Sequence, residues 1–134
     1  MRLISFDGKK TVDIGNSDIW FSVYSTAVDA LGRNNKKIEL ALDFMESGKC
    51  EGKDGYEIAR QFNMMHDRFA MIPPEKAVYD INDKKRKAPW QGNISPVITS
   101  CANLYITADG KDLFSEVVGI LTYAKIRKVD IVAE

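Results

Sequence analysis

The sequence predicts one α+β domain over residues 1–134: an N-terminal β-hairpin and further short strands forming a mainly antiparallel or mixed sheet, packed against about four helices. Three observations predict it. Asp7-Gly8 separates two short β-prone runs at the start of the chain. Four later stretches carry apolar residues at helical spacing. A closing segment, Val129–Ala133, is again β-prone, and neither a linker nor an internal repeat divides the pieces. With 45% hydrophobic residues the chain can build a core without metals or crosslinks.

The elements follow in order. Leu3, Ile4 and Phe6 precede Asp7-Gly8, and Val12 and Ile14 follow it, which predicts strands at about 2–6 and 9–14 joined by a two-residue turn with both positions at positive φ. Gly15-Asn16-Ser17-Asp18 then breaks the strand, with Ser17 as cap and Asp18 at the positive end of a helix dipole. Trp20, Val23, Tyr24, Ala27 and Leu31 form that helix's apolar stripe, and Gly32 stops it. A second helix is predicted from about Lys36 to Ser47, with Gly48 after it. The stretch 48–55 reads as a polar loop. Asp54 and Glu57 resemble a capping box for a third helix whose stripe is Ile58, Phe62, Met65 and Phe69, and Pro73-Pro74 ends it.

Ala77–Ile81 reads as a short strand, Asn82–Asn93 as a long loop, and Leu104–Thr107 as the best strand within the apolar run from Val97 to Thr107. Asp109-Gly110 makes a turn, and Asp112 caps a fourth helix carrying Phe114, Val117, Val118 and Leu121. Lys125, Arg127 and Lys128 meet the negative pole of its dipole.

Charge and cysteine usage narrow the function classes. Lys+Arg and Asp+Glu balance at 19 each, where a dedicated nucleic-acid binder carries a basic excess. Cys101, in the apolar run ITSCANLYI, reads as core, and Cys50, in the polar run GKCEGKDG, as an exposed free thiol. Two unclustered thiols make neither a disulfide framework nor a zinc site. Met1-Arg2 leads into alternating residues rather than a signal peptide, and no apolar run approaches the roughly 20 residues of a membrane span. A cytoplasmic protein without cofactor or metal is expected, with a monomer favoured.

Catalytic candidates are few. His66 is the one histidine, and an enzyme would have to pair it with a carboxylate such as Asp67 or Asp80; the residue pattern shows no such partnership. Gly8-Lys9-Lys10-Thr11 lacks the first glycine of a phosphate-binding loop. Asp80-Ile81-Asn82-Asp83 begins like a calcium loop, but Lys84 takes the next ligand position and no glycine follows.

Two charge features stand out. The run Lys84-Lys85-Arg86-Lys87 is either a phosphate or acidic-partner contact, as in a nucleic-acid adaptor, or a solvated loop. Asp43, Glu46, Glu51, Asp54 and Glu57 gather carboxylates around the second loop; capping accounts for Asp54 and Glu57, while Glu46 and Glu51 have no local role, which leaves an acidic contact surface open. Trp20 reads as core, and Trp90 as either an interface anchor or a lock holding its loop to the domain.

The order of several segments resembles the immunity protein 70 family of bacterial polymorphic-toxin systems. The segments are FSVYSTAVDAL, an acidic helix ending in ESGK, AVYDINDKKRKAPWQGNISPVIT, and NLYITADGKDLF. The family's aspartate-bearing strand is matched by Val78, Asp80, Ile81 and Asp83. Its proline-tryptophan loop and the following turn are matched by Pro89, Trp90, Gly92, Ile94, Ser95, Ile98 and Thr99. Its strand-turn-helix is matched by Asn103, Thr107, Asp109, Gly110, Asp112, Leu113 and Phe114. Tyr79, Ala88 and Gln91 depart from the pattern. The resemblance covers about Phe21 to Phe114 and implies no catalytic residue. It implies that the chain binds and neutralises a cognate toxin domain, commonly a nuclease at the C-terminus of a contact-dependent growth inhibition protein, in a tight stoichiometric complex. A nuclease face must attract phosphates, so its blocker offers carboxylates, which points to Asp43, Glu46, Glu51, Asp54 and Glu57 as the toxin-binding surface. Asp80, Asp83, Pro89, Trp90, Ser95, Asp109, Gly110 and Asp112 are then expected to encode the scaffold.

Overall fold

The computed structural model describes all residues from Met1 to Glu134. Strands β1 (Arg2–Ser5) and β2 (Thr11–Asp13) form the N-terminal hairpin. Helices α1 (Ser17–Leu31) and α2 (Glu39–Ser47) follow, then a two-residue strand β3 (Lys49–Cys50) and a 3-10 turn (Gly52–Asp54) leading into α3 (Gly55–Phe69). A long connection holding one further 3-10 turn, Pro74–Lys76, ends at α4 (Leu113–Arg127), and β4 (Ile131–Ala133) closes the chain. The sheet is antiparallel throughout, in the order β2-β1-β4-β3. The C-terminal strand therefore lies between the first strand and the one formed near the middle of the chain.

Alternation along the strands decides which face is inside. Leu3, Val12, Ile131 and Cys50, one from each strand, are buried against the helices. Arg2, Thr11 and Lys49 face outward and are exposed. The helices supply an aromatic core in which Trp20 stacks on Phe62 at 6.0 Å, Phe44 meets Trp20 edge-on at 6.0 Å, and Phe69 meets Phe114 edge-on at 5.3 Å. The third-helix stripe Ile58, Phe62, Met65 and Phe69 is wholly in this core.

Local signals hold at most element ends. Gly32, at φ 90°, terminates α1, and Gly48, at φ 72°, terminates α2. The Asp112 carboxylate caps α4 by accepting from Ser115 N at 2.9 Å. Three details differ. The α1 cap is Asn16, whose side-chain Oδ1 accepts from Asp18 N at 2.9 Å, not Ser17. The hairpin connection has four residues, with Ser5 N bonded to Lys10 O and only Gly8 at positive φ, because Ser5 Oγ accepts from Lys10 N and donates to Asp7 Oδ1 and so spans a wider turn. Asp54 makes no side-chain cap, since the 3-10 turn carries the chain into α3 and Glu57 is spent on Arg60 and Gln61. Gln61 Oε1 in turn accepts from Ala41 N at 2.8 Å, so a buried residue of α3 caps the start of α2.

Two predicted strands are absent. Residues 77–81 lie across α1 as a strap whose backbone is bonded by hydroxyls rather than by a neighbouring strand. Val78 O accepts from Ser22 Oγ at 2.9 Å, Val78 N donates to Thr26 Oγ1 at 3.0 Å, and Ile81 N donates to Ser25 Oγ at 3.0 Å. Residues 97–105 form successive turns, because Asn103 Oδ1 accepts from Thr99 N and Ser100 N while Asn103 Nδ2 donates to Val97 O. Ile106 retains a single antiparallel bridge to Asp112. β3, read from the sequence as loop, pairs with β4 through Lys49↔Val132 and Cys50↔Ile131.

The strap is anchored at a buried polar knot, where Tyr105 Oη lies 2.9 Å from Ser22 Oγ and 3.1 Å from Thr26 Oγ1. Trp90 packs edge-on against both Tyr79 and Tyr105, at 5.7 and 6.2 Å, and so locks its loop onto the domain. Thr26→Val keeps the shape but leaves Val78 N without a partner. It is expected to cost about 2 kcal/mol of stability and to speed proteolysis within residues 77–92, read by urea unfolding and limited digestion.

Candidate functional site

Of the acidic residues singled out in the sequence, three line one groove, and Arg33 bridges one of them, Asp43, to Glu46. Asp43 on α2, Glu51 beyond β3 and Asp54 at the end of the 3-10 turn line a groove of about 440 Å³, where Asp130, just ahead of β4, joins them. Its apolar side is supplied by Phe6 at the hairpin tip, 79% exposed, and Leu40 on α2, 39% exposed, above buried Phe44 and Ile58. Four carboxylates thus face one lysine, Lys49, beside two exposed hydrophobic side chains.

The backbone holds these groups in place. Phe6 N donates to Asp130 O at 2.8 Å, tying the hairpin tip to the segment before β4. Asp130 Oδ1 accepts from Gly52 N at 2.9 Å and fixes the 3-10 turn that carries Asp54. Asp43 pairs with Arg33 at 3.0 Å and Glu51 with Lys53 at 3.4 Å, both exposed and exchangeable with solvent. Asp54 and Asp130 are in no ion pair, and Asp130 also borders a neighbouring hollow lined by Lys53, Lys125 and Lys128.

Cys50 lies at the floor of this groove and corrects the expectation of an exposed thiol: it is 3% exposed, because β3 turns it inward against β4. Burial, with the charges of Asp54, Asp130 and Glu51 added, pushes the thiol up to about 12. Cys101 is buried as expected and likewise raised to about 12. Since the thiolate is the reactive form, neither cysteine is expected to be alkylated at pH 8 in the folded chain, and both should react in denaturant; mass spectrometry after iodoacetamide treatment reads the outcome.

The other two carboxylates lie elsewhere. Glu46 accepts from Tyr24 Oη at 3.0 Å and pairs with Arg33, in a separate hollow lined by Trp20, Phe21, Met45 and Ile81. Glu57 is held by Arg60 and Gln61, which bring its carboxyl down to about 2.

The remaining candidates fall into structural places. His66 is half-buried, edge-on to Phe114 at 5.2 Å, in a hollow shared with Asn63, Ser115 and Val118; neither Asp67 nor Asp80 lines it. Asp80 is on the strap, where Arg86 reaches it at 3.5 Å and Asn82 N donates to it at 2.8 Å. Asp83 accepts from Lys85 N, Ser95 O accepts from Ile98 N, and Asp109 accepts from Thr107 Oγ1, each closing a turn. Pro89 is exposed beside Trp90, and Gly110 sits at φ 84°. No three His, Cys, Asp or Glu side chains, those of the groove included, are placed closely enough to hold a metal ion together. No helix is long and apolar enough to cross a membrane.

Phe6, Leu40 and Asp130 were not among the sequence candidates. A signal existed for Phe6: in the hairpin alternation it shares the outward phase of Arg2 and Ile4, which leaves a large aromatic side chain outside the core. Asp130 carried none, since only the pairing of β4 with β1 and β3 brings it there.

Compared with known proteins, the chain matches the family model described as immunity protein 70 over residues 5–133. No curated protein and no solved structure matches it. The family match takes in the hairpin turn, β2, the groove and β4, beyond the segments that carried the resemblance in the sequence. The chain belongs to the immunity protein 70 family, and that membership makes it an immunity protein against a toxin.

Proposed function

We propose that this protein neutralises its toxin by occlusion, seating the groove between the hairpin tip, α2 and β3 on a basic surface of the toxin domain in a stoichiometric complex. The observation that carries the reading is the joining of exposed Phe6 and Leu40 to Asp43, Glu51, Asp54 and Asp130 in a single concavity. An apolar centre with an aromatic residue and a polar rim is the usual anatomy of a protein–protein interface. The carboxylates suit a partner whose working face is cationic, as a nuclease's must be to hold phosphates. The toxin domain is accordingly a nuclease carried at the C-terminus of a contact-dependent growth inhibition protein. The immunity protein meets it in the cytoplasm, as a monomer. It acts without catalysis: His66 has aromatic and neutral polar neighbours, and no carboxylate lines its hollow.

The test is co-expression with the C-terminal domain of a large secreted protein encoded directly upstream. Restored growth and a one-to-one complex on size exclusion are the expected results. Failure to rescue cells from any toxin encoded beside it, or substrate turnover by the purified chain, overturns the reading.

A further inference from the structure

The basic run on the strap divides into two sets with different roles. Lys84 pairs with Asp29, and Arg86 pairs with Asp18 at 3.3 Å and Asp80 at 3.5 Å while lying 4.8 Å over the Tyr79 ring. These alternate residues fasten the strap to α1. Lys85 and Lys87 form no ion pair, and together with Lys76 from the second 3-10 turn they line a concavity of about 430 Å³ that shares no residue with the groove. Five cations line it against one carboxylate, Glu75. In a chain whose charges balance, Lys76, Lys85 and Lys87 are a local excess, since none of the three has an ion-pair partner while Lys84 and Arg86 are held by aspartates.

We infer that this concavity is a second binding site, one that receives the carboxylates of a short acidic segment of a protein partner. Its size and surroundings decide against a long polyanion. A nucleic-acid backbone leaving the pocket along α1 would run onto Asp18, Asp29 and Asp80, which are already committed to the strap, and onto exposed Asp83. A backbone binder instead needs an extended basic track. Lys76, Lys85 and Lys87, each a compact point charge on a flexible stem, can converge on the carboxylates of a short segment while Lys84 and Arg86 stay on their aspartates. The inference does not depend on which surface meets the toxin.

The test is an amide-shift titration of the full chain at low salt with a hexaglutamate peptide, and in parallel with a hexathymidylate oligonucleotide of about the same charge. Shifts from the peptide centred on residues 75–91, an affinity for it at least equal to that for the oligonucleotide, and a loss of about tenfold in the K76Q/K85Q/K87Q variant are expected. All three lysines are exposed, so that variant keeps its fold, which its unchanged thermal transition verifies. Absence of peptide shifts in this stretch, equal affinity in the triple variant, or tighter oligonucleotide binding at the pocket overturns the inference. Neither ligand involves the toxin, so failure here leaves the groove proposal standing, and failure of the groove leaves this one.

Discussion

Gly55→Ala is expected to destabilise the protein by about 3 kcal/mol and to lower its melting temperature by about 10 °C. Helix propensity predicts the opposite sign. Gly55 opens α3 with φ −56° and ψ −45°, a conformation alanine adopts freely, and alanine gains about 1 kcal/mol over glycine inside a helix. Space decides instead. A Cβ at this position would stand 2.2 Å from Leu121 O and 3.2 Å from Lys125 N, both backbone atoms of α4. No side-chain rotation relieves that contact, so α3 and α4 must separate along their packed faces. Gly52 is under the same constraint, with Val129 O 2.6 Å from the added carbon. Gly119, on the exposed side of α4, has nothing within 4 Å, so Gly119→Ala is expected to gain about 0.5–1 kcal/mol from propensity alone. Urea unfolding of the two variants reads both signs, and an unchanged or raised midpoint for Gly55→Ala would show that the helices do not meet as closely as described.

The second large effect falls on the toxin complex. Phe6→Ala is expected to weaken it by more than about tenfold, chiefly by faster dissociation, because truncating an aromatic anchor removes contacts made only after docking. Phe6 is 79% exposed in the free protein, so the variant should keep its stability. The double reversal Glu51→Lys and Asp54→Lys acts on the other rate. Placing two positive charges at the groove mouth is expected to slow association about tenfold at low salt, with the difference shrinking as salt is added. Glu51 has only an exposed pair with Lys53, and Asp54 has neither a cap bond nor an ion pair, so little folding energy is tied to either. His66→Ala, outside the groove, should leave both rates and protection intact. Surface plasmon resonance against the toxin domain separates the two rates. Unchanged association and dissociation in both groove variants would move the contact surface elsewhere, and loss of protection in His66→Ala would return attention to catalysis.

How far these residues could be read from the sequence depended on how local their signals were. The hairpin, four helices and closing strand announced themselves through turns and periodicity that act within one or two turns of chain. Residues 77–81 and 104–107 were misread as strands for a common reason. Their composition is β-prone, but Ser22, Ser25 and Thr26 on α1 supply the strap's hydrogen bonds, and Tyr105 O and Thr107 N are taken by Leu113 N and Lys111 O across a tight turn that leaves one bridge. β-Propensity records fit to a pleated, half-buried surface and gives way when other groups satisfy the backbone. Cys50 was misread because its polar neighbours conceal a two-residue strand that exists only against β4.

What the sequence determined by itself was the hairpin, the four helices and the closing strand, the core stripes and, through the ordered motifs, the family. What the tertiary structure alone decided was the company each charge keeps. β4 inserts between β1 and β3, which carries Asp130 to Gly52 and Phe6 and builds a groove from residues as distant as 6, 40, 54 and 130. Glu46 and Glu57 do not line that groove: Glu46 shares Arg33 with Asp43 at its margin, and Glu57 is held by Arg60. Turn and helix signals act through bonds a few residues long, whereas the field at a surface is a sum over whatever the fold brings within about 10 Å, irrespective of position in the chain.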